Sequence, residues 1–462
     1  MLFSSLTFVL FFAVYFSFHQ ALSQKHQILL IIVGSTIFYA YWNPVLVWVP
    51  YLLLILALGS AHIVTSGRQT TRRARLCACI LLLLAPLLFF KYTNFAFGQL
   101  MGPFFGLERS LIDVSLPLGI SFITFTLLAY VIELARGRTV ERRMGPLAGF
   151  VLFFPHLIAG PILRPWELLP RLARQGRPRA AAGRFVAGFV LFTVGLVKKV
   201  VFADQIGVAV DAVYGAQTAL TKAEYLLGIV GFCVQIYCDF SGYTDMAIGI
   251  ALALGYRLPT NFRQPYAAIS VVDFWRRWHI TLSSWFRDYV YVPLGGNREG
   301  RTRQVINVIL TMTIAGLWHG ANWTFAIWGF VHGVGVAVSH TATQSGISRF
   351  IPNAAKLAMT FIFVTIAWVL FRAPDLQVAS VVLAGPLNGL PTDWPRFGAD
   401  NGLVLVLIGV FFALHRLDDH RRIRWLARGT SHAVLWPGLV ACWLAAIALS
   451  HGSSAKFIYF DF

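Results

Sequence analysis

The chain of 462 residues is 57% hydrophobic and 12% charged, with a mean hydropathy of +0.68. A soluble domain carries about a quarter charged residues, so a soluble enzyme, a disordered scaffold and a disulfide-built secreted protein are excluded. The formal charge of +19 is what many short Lys/Arg-rich cytoplasmic loops produce in a polytopic membrane protein. No basic run interleaved with aromatics lies in a polar segment, which argues against nucleic acid.

Apolar stretches long enough to cross a bilayer are predicted near 2–18, 28–42, 45–63, 76–90, 114–134, 185–203, 223–239, 357–374, 401–415 and 432–450. Weaker ones lie at 147–160, 240–255, 304–318 and 321–340. The first has no charged leader region and no small-residue cleavage site, so it is expected to be a retained span. Five basic clusters separate the spans: Arg68–Arg75, Arg136–Arg143, Arg164–Arg184, Arg276–Arg303 and Arg416–Arg428. The intervening segments 92–113 and 375–400 are poorer in positive charge. The positive-inside rule therefore predicts cytoplasmic clusters, with the turn at Trp42-Asn43-Pro44 and both termini on the outer side. No soluble domain and no fixed-period repeat is evident, so residues 1–462 read as a single all-α membrane domain. The five cysteines lie in or beside apolar stretches and suggest no redox role. HExxH, Walker-type, GxSxG and paired-Cys signatures do not occur, so no metal site is expected.

Ionisable groups inside hydrocarbon are costly and tend to be functional. Three segments break the apolar pattern: 235–245, 273–296 and 316–325. In the first, Asp239 and Asp245 are expected to be structural, capping a helix break at Ser241-Gly242. In the third, Arg303 and Arg349 are both cytoplasmic, so the chain between them must rise and return. Gly316, Gly320 and Asn322 are poor helix formers gathered at one point. A broken helical hairpin with His319 near its tip follows. Irregular backbone at membrane depth needs surrounding protein or a water-filled cavity, and desolvation there is expected to keep the imidazole neutral, able to act as a general base. The plainer alternative is a buried histidine bonded to a backbone carbonyl. Trp318, Asn322 and Trp323 crowded around it weigh toward function. His279 reads either as a second polar group at the cytoplasmic mouth or as a member of an interfacial amphipathic helix; spacing alone favours the second. His156, in Phe154-Pro-His-Leu-Ile-Ala-Gly-Pro161, is expected to be a structural polar group in a re-entrant bend.

Several segments resemble the membrane-bound O-acyltransferase family, in particular its bacterial alginate O-acetyltransferase branch. They are Leu116-Pro-Leu-Gly-Ile-Ser-Phe122, Phe153-Phe-Pro-His-Leu-Ile-Ala-Gly-Pro161, Gly195-Leu-Val-Lys-Lys-Val200 and Gln235-Ile-Tyr-Cys-Asp-Phe-Ser-Gly-Tyr-Thr-Asp-Met246. Phe274-Trp-Arg-Arg-Trp-His279, Gly316-Leu-Trp-His-Gly320, Trp368-Val-Leu-Phe-Arg372 and the closing Phe457-Ile-Tyr-Phe460 complete the series. Each is short; their order along nearly the whole chain is specific. Where the branch often has Gln after Phe-Pro, this chain has His156.

The resemblance implies about 11–13 transmembrane or re-entrant helices around a central tunnel. It makes His319 the catalytic histidine and His279 the second. Arg276, Arg277, Trp278, Trp318 and Asn322 become substrate-contacting candidates. Basic residues such as Arg276, Arg277 and Arg287 suit the phosphates of coenzyme A, although positive-inside topology alone accounts for most of the arginines. The branch further implies acetyl-CoA as donor substrate with no bound cofactor, a bacterial inner-membrane location, and a periplasmic partner of SGNH-hydrolase-like fold that passes the acetyl group to an exported polysaccharide. Within the family the alternative is D-alanyl transfer to teichoic acid. Outside it, the alternative is a transporter with His319 as a proton relay.

Overall fold

The computed structural model describes residues 1–66, 68–97, 114–138, 141–174, 182–450 and 458. The closing motif around Ile458 and most of the segment 92–113 otherwise lie outside the described residues. Long runs of Leu, Ile, Val and Phe leave the backbone no partner but itself in lipid. The described residues accordingly form helices, with one isolated bridge between Thr221 and Leu390. Eight of these helices are long and apolar enough to cross a membrane, and four shorter apolar ones accompany them: Leu6–Ala21, Lys25–Ala40, Ile120–Ala135 and Leu376–Asn388.

The helices fall into two compact units. The first comprises Met1–Phe192 with Met246–Pro259. It holds α1 (Leu6–Ala21), α2 (Gln24–Ala40), α3 (Trp48–Thr65), α4 (Arg72–Phe95), α5 (Ile120–Ala135), α6 (Met144–Leu152) and α7 (Pro165–Ala173). Asn43 ends the tight turn before α3 by accepting the Val45 N–H at 2.9 Å. α3 packs on α4 and α5, while α2 packs on α6. The expected bend after α6 is present at Phe153. His156 is buried there, its Nε2 2.7 Å from the Phe150 carbonyl, which is the structural role read from sequence.

The second unit comprises Thr193–Asp245 with Thr260–Phe462. Two long helices, α8 (Ala182–Tyr214) and α9 (Lys222–Ala253), contribute residues to both units. The rest of the second unit is α10 (Val271–Trp275), α11 (Ile280–Phe286), α12 (Arg301–His319), α13 (Trp323–Gln344), α14 (Asn353–Arg372), α15 (Leu376–Asn388), α16 (Trp394–Leu414), α17 (His420–Gly429) and α18 (His432–Leu449). Its core is aromatic, built on the fully buried Trp278, Trp328, Trp368 and Tyr237.

Two expectations are corrected here. α9 is continuous through Ser241 and Gly242, so Asp239 and Asp245 cap no break. Gly242 is small because α8 passes against it: a Cβ there would lie 2.7 Å from the Gly195 carbonyl oxygen. The two aspartates instead meet paired lysines on a π-helical turn of α8, Lys198–Ala203. Lys199 bridges Asp204 and Asp239, each at 2.7 Å, and Lys198 bridges Asp245 at 2.7 Å and Asp418 at 2.5 Å. The segment 375–400 is also not a plain loop. α15 occupies half of it, started by Asp375, whose carboxylate accepts the Val378 N–H at 2.8 Å. At 13 residues it is too short to have registered as a span.

Candidate active site

The predicted helical hairpin is present as α12 and α13. Its two helices touch backbone to backbone: a Cβ on Gly329 would stand 3.0 Å from the Thr313 Cα and 3.1 Å from the Gly316 Cα. His319 is the last residue of α12, and Gly320 leaves the helix in an extended conformation. Asn322 then caps α13, its Oδ1 accepting the Thr324 N–H at 3.2 Å while its amide donates to the Pro374 carbonyl at 2.7 Å. The turn that places His319 is therefore held from both sides.

His319 is buried among aromatic rings: Trp318 at 5.0 Å, Phe371 at 5.2 Å and Trp328 at 5.3 Å between centroids, all edge-on. These rings limit the imidazole to few orientations. One side remains open to a cavity of about 630 Å³. Val308, Thr311, Met312, Ala315 and His319 line it from one stripe of α12, spaced as helix periodicity requires. Arg276, Arg287 and Asn297, all exposed, also line it, so its solvent end is basic and its buried end carries the imidazole. Asp288 binds the Arg287 guanidinium at 2.7 Å and raises its pKa.

His279 is fully buried and sits at a positive φ of 41° at the start of α11, a conformation that costs a non-glycine residue of order 1 kcal/mol or more. This is not the surface of an amphipathic helix, and the interfacial reading of His279 is corrected. Asn261 explains what holds it. The Asn261 Oδ1 accepts the Thr281 N–H at 3.3 Å and the Thr281 hydroxyl at 2.9 Å, which identifies that atom as the oxygen. The His279 Nδ1, 3.1 Å away, must then donate, so the tautomer is Nδ1–H and Nε2 is the ring's acceptor. Trp318 links the two histidines, 6.4 Å from His279 and 5.0 Å from His319 between ring centroids.

The remaining candidates separate. Arg276 lines the cavity; Arg277 is turned to Asp273 at 2.9 Å and is not among the lining residues. Trp278 is buried in the core against Trp368 at 4.8 Å and Phe262 at 5.0 Å. Asn322 spends its amide on the hairpin turn. Asn261, Trp328 and His332 were not singled out from sequence. His332 is fully buried, its Nδ1 accepting from the Nε1 of cavity-lining Trp275 at 3.3 Å. Asn261 is one of four polar residues between Pro259 and Pro265, beside Thr260, Arg263 and Gln264, so nothing in the sequence set it apart without its contacts.

The fold is a helical membrane body in which the histidine at a hairpin turn and three exposed polar residues, two of them arginines, line one cavity. The family model described as MBOAT, membrane-bound O-acyltransferase family, matches residues 144–378. A probable alginate O-acetylase, AlgI, of Pseudomonas putida is 40% identical over 397 residues, covering 82% of this chain and 79% of that protein. A peptidoglycan O-acetyltransferase of Helicobacter pylori is 35% identical over 396 residues, covering 78% of this chain and 74% of that protein. A teichoic acid D-alanyltransferase of Bacillus subtilis is 29% identical over 229 residues, 47% of this chain and 57% of its own. The chain belongs to the membrane-bound O-acyltransferase family. It is a multi-pass membrane enzyme that transfers acyl groups.

Proposed function

We propose that this enzyme moves an acetyl group from cytosolic acetyl-CoA to the O-acetylation of an exported polysaccharide, with alginate-like polymers the first candidates. The observation that carries the proposal is the cavity running along one face of α12 from Arg276 and Arg287 to His319. Gln304 and His319 both line it, and fifteen residues of helix at 1.5 Å each separate them by about 22 Å. Such a length suits a phosphorylated carrier with an extended arm: phosphates at the guanidinium end, thioester at the imidazole end. The greater coverage and identity of the O-acetylating relatives favour an acetyl donor over D-alanyl transfer.

In this reading His319 removes the proton of an acceptor hydroxyl as its oxygen attacks the thioester carbonyl. The new C–O ester bond forms, the C–S bond breaks, and the leaving thiolate takes up the proton held by His319, which returns the imidazole to its neutral form. His279, fixed as the Nδ1–H tautomer, does not line this cavity and acts on the site through Trp318, against which it packs. The donor stays in the cytosol and the acceptor is supplied from the periplasm by an SGNH-like partner. The enzyme then lies in the bacterial inner membrane with both termini outward. His319→Ala should leave the protein in the membrane and abolish polymer O-acetylation. Full acetylation by that variant would remove His319 from the mechanism and the proposal with it.

A further inference from the structure

The connector between the last two long helices is chemically unlike the rest of the chain. α17, His420–Gly429, reads His-Arg-Arg-Ile-Arg-Trp-Leu-Ala-Arg-Gly. It follows one membrane-crossing helix, Trp394–Leu417, and precedes another, His432–Leu449. Consecutive spans return the chain to the face they leave, so α17 lies at headgroup level. Its anchorage is unusually firm for a surface helix. The carboxylate of Asp418 bonds Lys198 and the Tyr237 hydroxyl, and His420 bonds the buried Asp245.

Beyond that anchor, several of the helix's described charges have no carboxylate to meet. Asp418 is taken by Lys198, and Asp419 accepts the Arg421 and Arg422 N–H groups at the helix start. Among the described residues, Arg416, Arg421, Arg422 and Arg424 make no ion pair. Two of them are held by backbone carbonyls: Arg422 on Arg416 at 3.3 Å and Arg424 on His420 at 3.0 Å. Between the arginines, Trp425 and Leu426 are exposed by 71% and 54%. An indole next to Arg421, Arg422 and Arg424, whose guanidiniums meet no carboxylate among the described residues, matches a phospholipid surface, with the ring among the glycerol groups and the charges on phosphates.

We propose that α17 is a binding site for anionic phospholipid headgroups, and that occupancy stabilises the ion-pair anchor behind it. The test uses the purified full-length protein in a neutral detergent. Phosphatidylglycerol, phosphatidylcholine and inorganic phosphate are added separately, followed by native mass spectrometry and thermal denaturation. Phosphatidylglycerol should be retained as an adduct and raise the melting temperature by several degrees, an effect that high salt weakens. Phosphatidylcholine and inorganic phosphate should do neither. A variant with Arg421→Gln, Arg422→Gln and Arg424→Gln should lose the adduct and the shift while still inserting and transferring acyl groups. Equal retention by that variant, equal shifts with phosphatidylcholine, or a shift reproduced by inorganic phosphate would each overturn the assignment. Should the triple variant insert poorly, Trp425→Ala and the lipid comparison on the unaltered protein decide the matter.

Discussion

Gly316 and Gly329 face each other across the hairpin so closely that a Cβ on the second would stand 3.1 Å from the Cα of the first. That contact, one turn before His319, sets how far the imidazole projects toward the cavity. Gly329→Val should push the helices apart and cost about 1–3 kcal/mol. The expected outcome is a lower melting temperature together with a loss of acyl transfer larger than the loss of folded protein. Gly402→Ala, where an added Cβ meets nothing within 4 Å, should be silent in both measurements.

Asn261 should act through His279. Asn261→Leu removes the acceptor that selects the Nδ1–H tautomer and leaves the Thr281 hydroxyl without its bond. Acyl transfer should fall roughly tenfold or more, in line with misplacement of a group that positions the reacting site. Asn261→Asp, which keeps the acceptor oxygen, should retain more activity than Asn261→Leu. Equal loss in both variants would show that Asn261 serves packing alone.

Lys198 neutralises two carboxylates at once. Lys198→Met leaves the buried Asp245 and the half-buried Asp418 without their shared cation, and breaking a buried pair in this way costs about 3–5 kcal/mol. Yield and melting temperature in detergent should drop sharply. Adding Asp245→Asn and Asp418→Asn to Lys198→Met should recover part of the loss, because the stranded charges are then gone.

The cavity separates residues that look equivalent in sequence. Arg276→Gln and Arg287→Gln should each raise the KM for the thioester donor by up to about fivefold, the scale of an exposed charge contact, with little change in kcat. Arg277→Gln, whose guanidinium pairs with Asp273 outside the lining, should leave KM unchanged. Ala315→Phe should fill the passage one turn below His319 and abolish donor use while the protein remains folded.

Much of the spatial plan was legible in the chain. Most spans were recoverable because lipid forces apolar continuity on any helix that crosses it, and His319 stood out because a titratable group at such a depth is costly. Gly320 and Asn322, poor helix formers, located the hairpin turn, whereas Gly316, grouped with them in the sequence, lies inside α12 and makes room for Gly329. Asp239 and Asp245 were read as caps because Ser241-Gly242 looks like a helix end, and the structure instead pairs them with Lys199 and Lys198. Only the approach of Gly195 shows that the small residues make room for a neighbouring helix.

Composition and periodicity alone determined that this is a helical membrane protein with a histidine in the turn of a hairpin, since those follow from solvation along a single chain. Tertiary structure decided the partners: Lys198 with Asp245, Asn261 with His279, Arg276 but not Arg277 at the cavity. These depend on which residues far apart in sequence meet in space. The Asp245–His420 bond spans 175 positions, a separation over which hydrophobic pattern carries no information.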